Sequence, residues 1–335
     1  VCEKVSLGFQ EQAFMQYRQL GSTGIKVSVI GFGTWGLSGT SYGPVDDAES
    51  ERALRRAFEL GITFYDTSDL YGTGHSEVIL GRGLKSVRDK IIIATKGGLL
   101  PHTGFEMPYD FSASYIRGAL EASLKRLGTD YVDLYQLHSP KLEDLENQEL
   151  KETLEAFKAE GKVREYGISV RAPKDGVPAM AAMNFKSVQA NLNLIDHRMI
   201  ESGLSRLAIE KGVGLIARTP LCFGFLTGGL QADAQFTDQD HRKLWPKEQL
   251  KRWTDAVALF EELRSKAGNT AVQLALRFCL SVPGVATVIP GMMNVREVEE
   301  NAVAGDLPLL SEVEQRSIVE IYATHEFYDP KAKGL

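Results

Sequence analysis

The sequence predicts an α/β protein built as a (β/α)8 TIM barrel, with an N-terminal β-hairpin and extra helices near the C-terminal end. Three observations predict it. Short apolar runs recur along the chain between residues 27 and 289. Amphipathic patterns of helical period separate most of them, and regular β–α alternation means a parallel sheet covered by helices. Eight such units close naturally into a barrel, and a chain of 335 residues can hold one as a single domain.

Residues 1–14, "VCEKVSLGFQEQAF", have neither a basic nor an apolar stretch. They read as a poorly constrained extension, not a secretory leader. Residues 15–28 read as a hairpin turning near Ser22–Gly24, and "VSVIG" (27–31) as the first barrel strand. Residues 47–60 place Ala53, Leu54, Ala57 and Phe58 on one helix face. The strands "ITFYD" (62–66), "IIIATK" (91–96) and "YVDLYQLH" (131–138) follow, with a helix over 112–127 whose Ile116, Leu120, Leu124 and Leu127 share a face. Further strands are "VREYGIS" (163–169), "SVQAN" (187–191), "VGLIA" (213–217) and "VATVI" (285–289). Helices are expected near 148–160, 200–211, 249–267, 270–281, 294–304 and 311–323. The long stretch 219–250 reads as a loop, and loops of that length are usually functional. The barrel domain is placed at 15–325 and a tail at 326–335.

The formal net charge of −6 argues against a nucleic-acid partner. No apolar run is long enough to span a bilayer. Cys2, Cys222 and Cys279 are few and far apart, which suits a reducing, cytoplasmic setting. No histidine cluster has metal-ligand spacing, so no metal is expected.

Residues 29–36, "VIGFGTWG", spell the G-x-G-x-x-G of a dinucleotide-binding turn. The context disagrees. The glycines run on into a loop rather than a helix, and the next carboxylate, Asp66, comes about thirty residues on instead of about twenty. The match is therefore read as accidental.

Active sites of barrels lie at the C-terminal strand ends. Asp66, Lys96 and His138 end three successive strands, and Tyr71 follows Asp66 by five residues. Alternation puts Phe64 with Asp66, Ala94 with Lys96, and Leu134 and Gln136 with His138, which aims these residues inward. Singly, each has an ordinary structural role open to it: a turn cap, a packed aromatic, a solvated lysine, a satisfied histidine. Together they suit proton transfer to a carbonyl oxygen. A tyrosine would supply the proton, an ammonium would lower its pKa, a carboxylate would hold the ammonium, and a histidine would meet the substrate oxygen. His75 and Ser76 are read as helix caps, and His197, His241 and His325 as structural.

At this point the chain resembles the aldo-keto reductases. The resemblance spans residues 15–325 and rests on "GFGTWG", "FYDTSDLYGTGHSEVILG", "IIIATKGG", "YVDLYQLHSP", "GISV", "SVQANLNLID" and "TVIPGMMNVREVEEN". It implies a catalytic tetrad of Asp66, Tyr71, Lys96 and His138. It also implies NAD(P)H-dependent reduction of an aldehyde or ketone, or the reverse oxidation of an alcohol or sugar. The cofactor is implied to meet Gly33, Thr34, Trp35 and Asp66 at the first strands, and Ser169 and Gln189 at the nicotinamide. Arg218, Pro220, Leu221, Gly224, Leu226 and Gly228 would follow the pyrophosphate. Ile289, Gly291, Met293, Glu297, Glu300 and Asn301 would hold the adenosine end. Trp35, Tyr42, Tyr71, Phe105, Tyr109, His138 and Phe223 would line the substrate pocket. Two positions depart from the family pattern: Val170 stands where an Asn often follows the serine, and Arg218 where an aromatic often stacks on nicotinamide. The family favours NADPH, whereas uncharged Met293 and acidic Glu297 raise the use of NADH. A small-molecule carbonyl or alcohol is the expected partner. The rival reading is a cofactor-sensing regulatory subunit on the same barrel.

Overall fold

The computed structural model describes residues 15–329 apart from residues 103 and 232. The proposed extension 1–14 and the end of the proposed tail, 330–335, lie outside these residues. A hairpin comes first, β1 (Tyr17–Gln19) and β2 (Lys26–Ser28), antiparallel, with Tyr17 opposite Ser28. Then eight parallel strands follow one another around a single sheet: β3 (Phe32–Gly33), β4 (Phe64–Asp66), β5 (Ile92–Gly97), β6 (Val132–His138), β7 (Val163–Ser169), β8 (Ser187–Asn191), β9 (Gly214–Arg218) and β10 (Val285–Val288). Parallel bridges from Ile30 to Val288 and from Gly33 to Gly291 close it into a barrel.

The first expected strand divides in two. Residues 26–28 pair within the hairpin, while Ile30, Phe32 and Gly33 pair within the barrel. Ser28 marks the division: its hydroxyl donates to the Ile30 carbonyl and accepts from the Phe64 backbone N–H. The hairpin supplies Leu20, Ile25 and Val27 to a small apolar cluster with Phe64, Ala94, Leu134, Ile216 and Ile289. That cluster fills the barrel interior. Phe64, Ala94 and Leu134 belong to it, so the alternation that aims Asp66, Lys96 and His138 inward is correct.

The larger core lies between sheet and helices. The helices are α1 (Asp47–Glu59), α2 (His75–Leu84), α3 (Ala113–Leu127), α4 (Gln148–Ala159), α5 (Gly176–Ala182), α6 (Arg198–Glu201), α7 (Leu204–Lys211), α8 (Lys247–Leu259), α9 (Glu261–Ala267), α10 (Ala271–Ser281), α11 (Val295–Val303) and α12 (Glu312–Thr324). Four differences from the sequence reading stand out. The expected helix 200–211 is two, parted at Gly203, which takes a φ of 75°. The expected helix 249–267 breaks at Phe260. The short α5 lies where no helix was expected. The caps expected of His75 and Ser76 are not caps: Gly74 opens α2 in the left-handed region, His75 Nε2 meets Asp47 Oδ1 at 3.0 Å, and Ser76 Oγ donates to the Thr34 carbonyl at 3.0 Å.

One glycine in α2 carries a sharp prediction. A Cβ on Gly81 would lie 2.7 Å from the Leu127 carbonyl carbon and 2.8 Å from its Cα, where α2 crosses the end of α3. Alanine is the better helix former by about 1 kcal/mol. Overpacking against backbone that cannot step aside costs about 1–3 kcal/mol. The clash wins, so Gly81→Ala is expected to lower the urea midpoint. A raised midpoint would show that the two helices have room between them.

Candidate active site

Neighbouring strand ends bring the predicted residues together. Register sets Gly33 beside Asp66, Lys96 beside Gln136, His138 beside Ser169, and Ser169 beside Gln189. Lys96 Nζ is the hub. It donates to Asp66 Oδ1 at 2.5 Å, to the Thr67 carbonyl at 2.8 Å and to Tyr71 Oη at 3.0 Å. Three donors thus meet three acceptors, and no water is needed to satisfy a fully buried ammonium. The second oxygen of Asp66 accepts from Gln189 Nε2 at 2.7 Å and Gln136 Nε2 at 3.1 Å. The His138 ring stands edge-on to the Tyr71 ring, with centroids 6.1 Å apart, and its Nδ1 meets Ser68 Oγ at 3.1 Å. Tyr71 keeps part of its surface open, so a substrate oxygen can reach this end of the barrel.

Charge and burial pull against each other here. Burial pushes the Lys96 ammonium down, but the Asp66 charge and the Tyr71 hydroxyl outweigh it, and its pKa lies above the ordinary lysine value. Tyr71 goes the other way from the expectation. Burial raises it more than Lys96 lowers it, so its pKa stands above the ordinary phenol value. The phenol therefore keeps its proton and is a donor. Burial, followed by the charges of Lys96 and Arg218, holds His138 well below its usual pKa, so its imidazole is neutral.

Gln136 is one residue that the sequence reading placed on the inward face without giving it a role. Its position two residues before His138 was the available signal. Ser68 was missed altogether, although it sits between Asp66 and Tyr71. His241, expected to be structural, belongs to an aromatic cluster over the same barrel end. Its ring centroid lies 4.4 Å from that of Trp35, 5.0 Å from Tyr42, 5.3 Å from Phe223 and 5.2 Å from Trp245. Phe105 joins through Trp245 at 6.2 Å. Tyr109 sits apart from this cluster, with Lys141 Nζ 5.2 Å from its ring centroid and the Arg171 guanidinium 5.4 Å away.

The residues expected to hold a cofactor run around the same rim. Ser169 Oγ donates to Gln189 Oε1 at 3.2 Å, so both ends of the Gln189 amide are engaged by protein. Asn191 stands beside Arg218 in register. Asn191 Oδ1, Arg218 Nε and Thr34 Oγ1 are buried with no protein partner. Unmet polar atoms at the ends of β8 and β9 and just beyond β3 fit a polar ligand laid across the rim. Beyond Arg218 the backbone is strained: Thr219, Cys222 and Phe223 have φ of 54°, 44° and 56°, and Gly224 follows at 90°. Such conformations in non-glycine residues gather at ligand sites. Pro220 is buried, Leu221 half-buried and Gly228 exposed, while the Leu226 side chain lies in the core against Leu194 and Leu274. Cys222 is also buried, and burial pushes its thiol well above the usual range, which makes it inert.

At the far side of the rim, Ile289 is buried and Gly291 pairs with Gly33. The Met293 side chain packs over Gly36. Glu297 is already occupied. Oε2 accepts from the Met293 N–H at 2.8 Å, Oε1 accepts from Asn294 Nδ2 at 2.9 Å, and the Glu297 N–H donates to Asn294 Oδ1 at 3.0 Å. This is a reciprocal cap on α11, in which Glu300 is half-buried and Asn301 buried. Arg296 is exposed. Among the described residues no three His, Cys, Asp or Glu side chains gather where they could hold a metal, and no helix is long and apolar enough to cross a membrane.

This geometry has close counterparts. The chain is 33% identical to L-galactose dehydrogenase of Arabidopsis thaliana, over 87% of this chain and 88% of that protein. The structure resembles aldo-keto reductase AKR11C1 from Bacillus halodurans in its holo form, with a TM-score of 0.77, 33% identity, and coverage of 93% of this chain and 99% of that one. The glycerol dehydrogenase AKR11B4 from Gluconobacter oxydans also matches at a TM-score of 0.77, with 28% identity and coverage of 94% and 98%. The family description "Aldo/keto reductase family" matches residues 29–323. The chain is thus an oxidoreductase of the aldo-keto reductase family.

Proposed function

We propose that this enzyme interconverts a small carbonyl compound and its alcohol by hydride transfer, with Tyr71 exchanging the proton and His138 orienting the substrate oxygen. The observation that carries this reading is the single ammonium shared by Asp66 and Tyr71 at the end of the barrel. A bound nicotinamide cofactor supplies or accepts the hydride. The protein's own residues do the rest. Lys96 fixes the phenol by hydrogen bond and charge. Asp66 fixes Lys96, and Gln136 and Gln189 hold Asp66. Trp35, Tyr42, Phe223 and Trp245 wall the approach with aromatic surface, which suits the apolar face of a sugar as well as an aryl group. The named relatives act on hydroxylated substrates, glycerol and L-galactose, so sugars and polyols head the substrate panel. The test is turnover followed through nicotinamide absorbance with aldehydes, ketones, sugars and polyols. Binding of the cofactor without turnover of any of them would favour a sensing role instead.

The cofactor preference is a second expected result. An uncharged rim at Gly291, Met293 and Asn294, next to acidic Glu297, disfavours a 2′-phosphate; Arg296 is the opposing group. NADH is expected to bind no worse than about tenfold below NADPH, a gap of roughly 1.4 kcal/mol. Glu297→Arg would remove the cap along with the charge. Glu297→Gln removes the charge and the bond from Asn294 Nδ2 but keeps an acceptor for the Met293 N–H, and should tighten NADPH more than NADH. Fluorescence titration with both cofactors measures this without turnover. A hundredfold preference for NADPH in the parent would transfer the role to Arg296.

A further inference from the structure

Behind His138 lies a chain of side chains that the proposed reaction does not use. Ser68 is fully buried and makes three contacts through one oxygen. Its hydroxyl donates to Asp69 Oδ1 at 3.1 Å, it accepts from the Leu70 N–H at 3.1 Å, and it meets His138 Nδ1 at 3.1 Å. Asp69 is not at the barrel mouth. It lines a groove of about 490 Å³ on the flank, between the loop after β4 and α3, with Leu70, Thr73, Tyr115 and Arg126 on its walls. That is ample room for water. The barrel wall therefore holds a hydrogen-bonded path, Asp69–Ser68–His138, that runs from this groove to the candidate site.

We propose that Asp69 and Ser68 are positioning residues that set which nitrogen of His138 carries its proton, and so whether His138 donates to a carbonyl or accepts from an alcohol. The inference rests on the placement of the substrate oxygen at Tyr71 and His138. Lone-pair counting gives two complete arrangements. With Asp69 ionised, the Ser68 hydroxyl donates to it, and the two Ser68 lone pairs take the Leu70 N–H and the His138 Nδ1–H. His138 Nε2 is then bare and can only accept. With Asp69 protonated, its O–H and the Leu70 N–H fill the two lone pairs. Ser68 then donates to Nδ1, and Nε2–H is a donor. One arrangement becomes the other when three protons each move one place. A proton enters at Nε2, the Nδ1 proton passes to Ser68 Oγ, and the Ser68 proton passes to Asp69 Oδ1. The imidazole is neutral in both, as its surroundings require.

Charges around Asp69 put the change within reach of ordinary pH. Burial, followed by the Glu77 carboxylate of α2, raises Asp69 to about 7, while Ser68, Arg126 of α3 and the Leu70 N–H pull it down. Glu77 is itself held by Arg126 at 2.6 Å and by Thr95 at 2.5 Å. Tyr115 and Tyr135 also face Asp69, and both have pKa values raised by burial, so neither adds charge near neutrality. A carboxyl that is protonated below this point favours the donor form, suited to reduction. Ionised above it, the carboxylate favours the acceptor form, suited to oxidation.

The test uses the whole protein with ¹⁵N-labelled histidine, comparing the Nδ1 and Nε2 signals at about pH 5.5 and about pH 8.5, on either side of neutrality. The His138 signals are identified by their loss in His138→Gln. The expected result is an Nε2–H tautomer at the lower pH and an Nδ1–H tautomer at the higher. Ser68→Ala and Asp69→Leu should each abolish the change, with the other histidine signals in place to report an intact fold. The ratio of reductive to oxidative kcat should fall by about tenfold or more over the same interval in the parent, and stay flat in Ser68→Ala. One tautomer throughout in the parent, or a change that survives in both variants, would overturn the proposal. Tyr71→Phe separates the two readings: if it keeps turnover, the site assignment fails, whereas lost turnover with a pH-insensitive His138 tautomer defeats the relay alone.

Discussion

Tyr71→Phe is expected to bind cofactor as the parent does and to lose kcat by roughly 10² or more, the scale of general acid–base catalysis. The substitution removes one hydroxyl. It leaves the ring, and with it the edge-on contact to His138 and the position of the ring under Lys96 Nζ, 4.7 Å from its centroid. What disappears is the proton donor and one of three acceptors on the Lys96 ammonium. Loss in kcat with an unchanged cofactor Kd is the signature of a group that acts only in the transition state. The factor corresponds to about 2.7 kcal/mol. Near-normal turnover would remove Tyr71 from the mechanism, whatever its distance from Lys96. Because burial holds the phenol above its ordinary pKa, the parent should show no loss of its proton donor anywhere near neutral pH.

Lys96→Met should do wider damage. Methionine fills the space but ends three hydrogen bonds and leaves Asp66, 2% exposed, with two amide donors and no cation. Stranding one partner of a buried ion pair costs about 3–5 kcal/mol, so the variant should unfold earlier in urea as well as lose kcat. Lys96 has a folded pKa raised above its ordinary 10.5, so its contribution to stability is complete below that value and is lost only as the pH climbs through the raised one. The titration of Lys96 itself should therefore add no slope to the stability of the parent across neutral pH. With no ammonium to oppose burial, Tyr71 should titrate higher still, and any residual oxidation should need a more alkaline medium. A profile identical to the parent's would mean that Lys96 does not tune the phenol.

The chemistry at the strand ends could be read from the sequence because it follows two simple periods. Side chains alternate along a strand, and polar residues that close apolar runs mark one rim of a barrel. Asp66, Lys96 and His138 obey both, and Phe64, Ala94 and Leu134 confirm the parity from within the barrel. What escaped depends on depth or on distant neighbours. The direction of the Tyr71 shift is a contest between burial and one ammonium, and spacing gives no measure of burial. His241 joins Trp35 and Tyr42 because its backbone N–H and Nδ1 both reach the Ser41 carbonyl, at 2.9 and 2.7 Å, from two hundred residues away. The break at Phe260 lies inside a helical pattern that shows no Gly or Pro there. Glu297 is a different case. Asn294-x-x-Glu297 is a readable capping pattern, and the Met293 N–H and Asn294 Nδ2 both hold the carboxylate.

Closure of the barrel has a bearing on synthesis at the ribosome. The strands that carry Asp66, Lys96 and His138, β4 to β6, are consecutive and can pair as soon as they emerge. β3 cannot complete its other edge until Val288 and Gly291 are made. The hairpin waits as well, since Arg18 donates to the Leu280 and Val285 carbonyls and the Gln16 N–H to the Gly305 carbonyl. A nascent chain stopped short of β10 would present two open sheet edges and an uncovered barrel floor, the condition in which strands pair with the wrong neighbour. Slower translation through residues 219–284, the long interval before the closing strand, is therefore expected to lower the yield of folded protein without changing the stability of the finished molecule, which soluble yield and the urea midpoint measure separately.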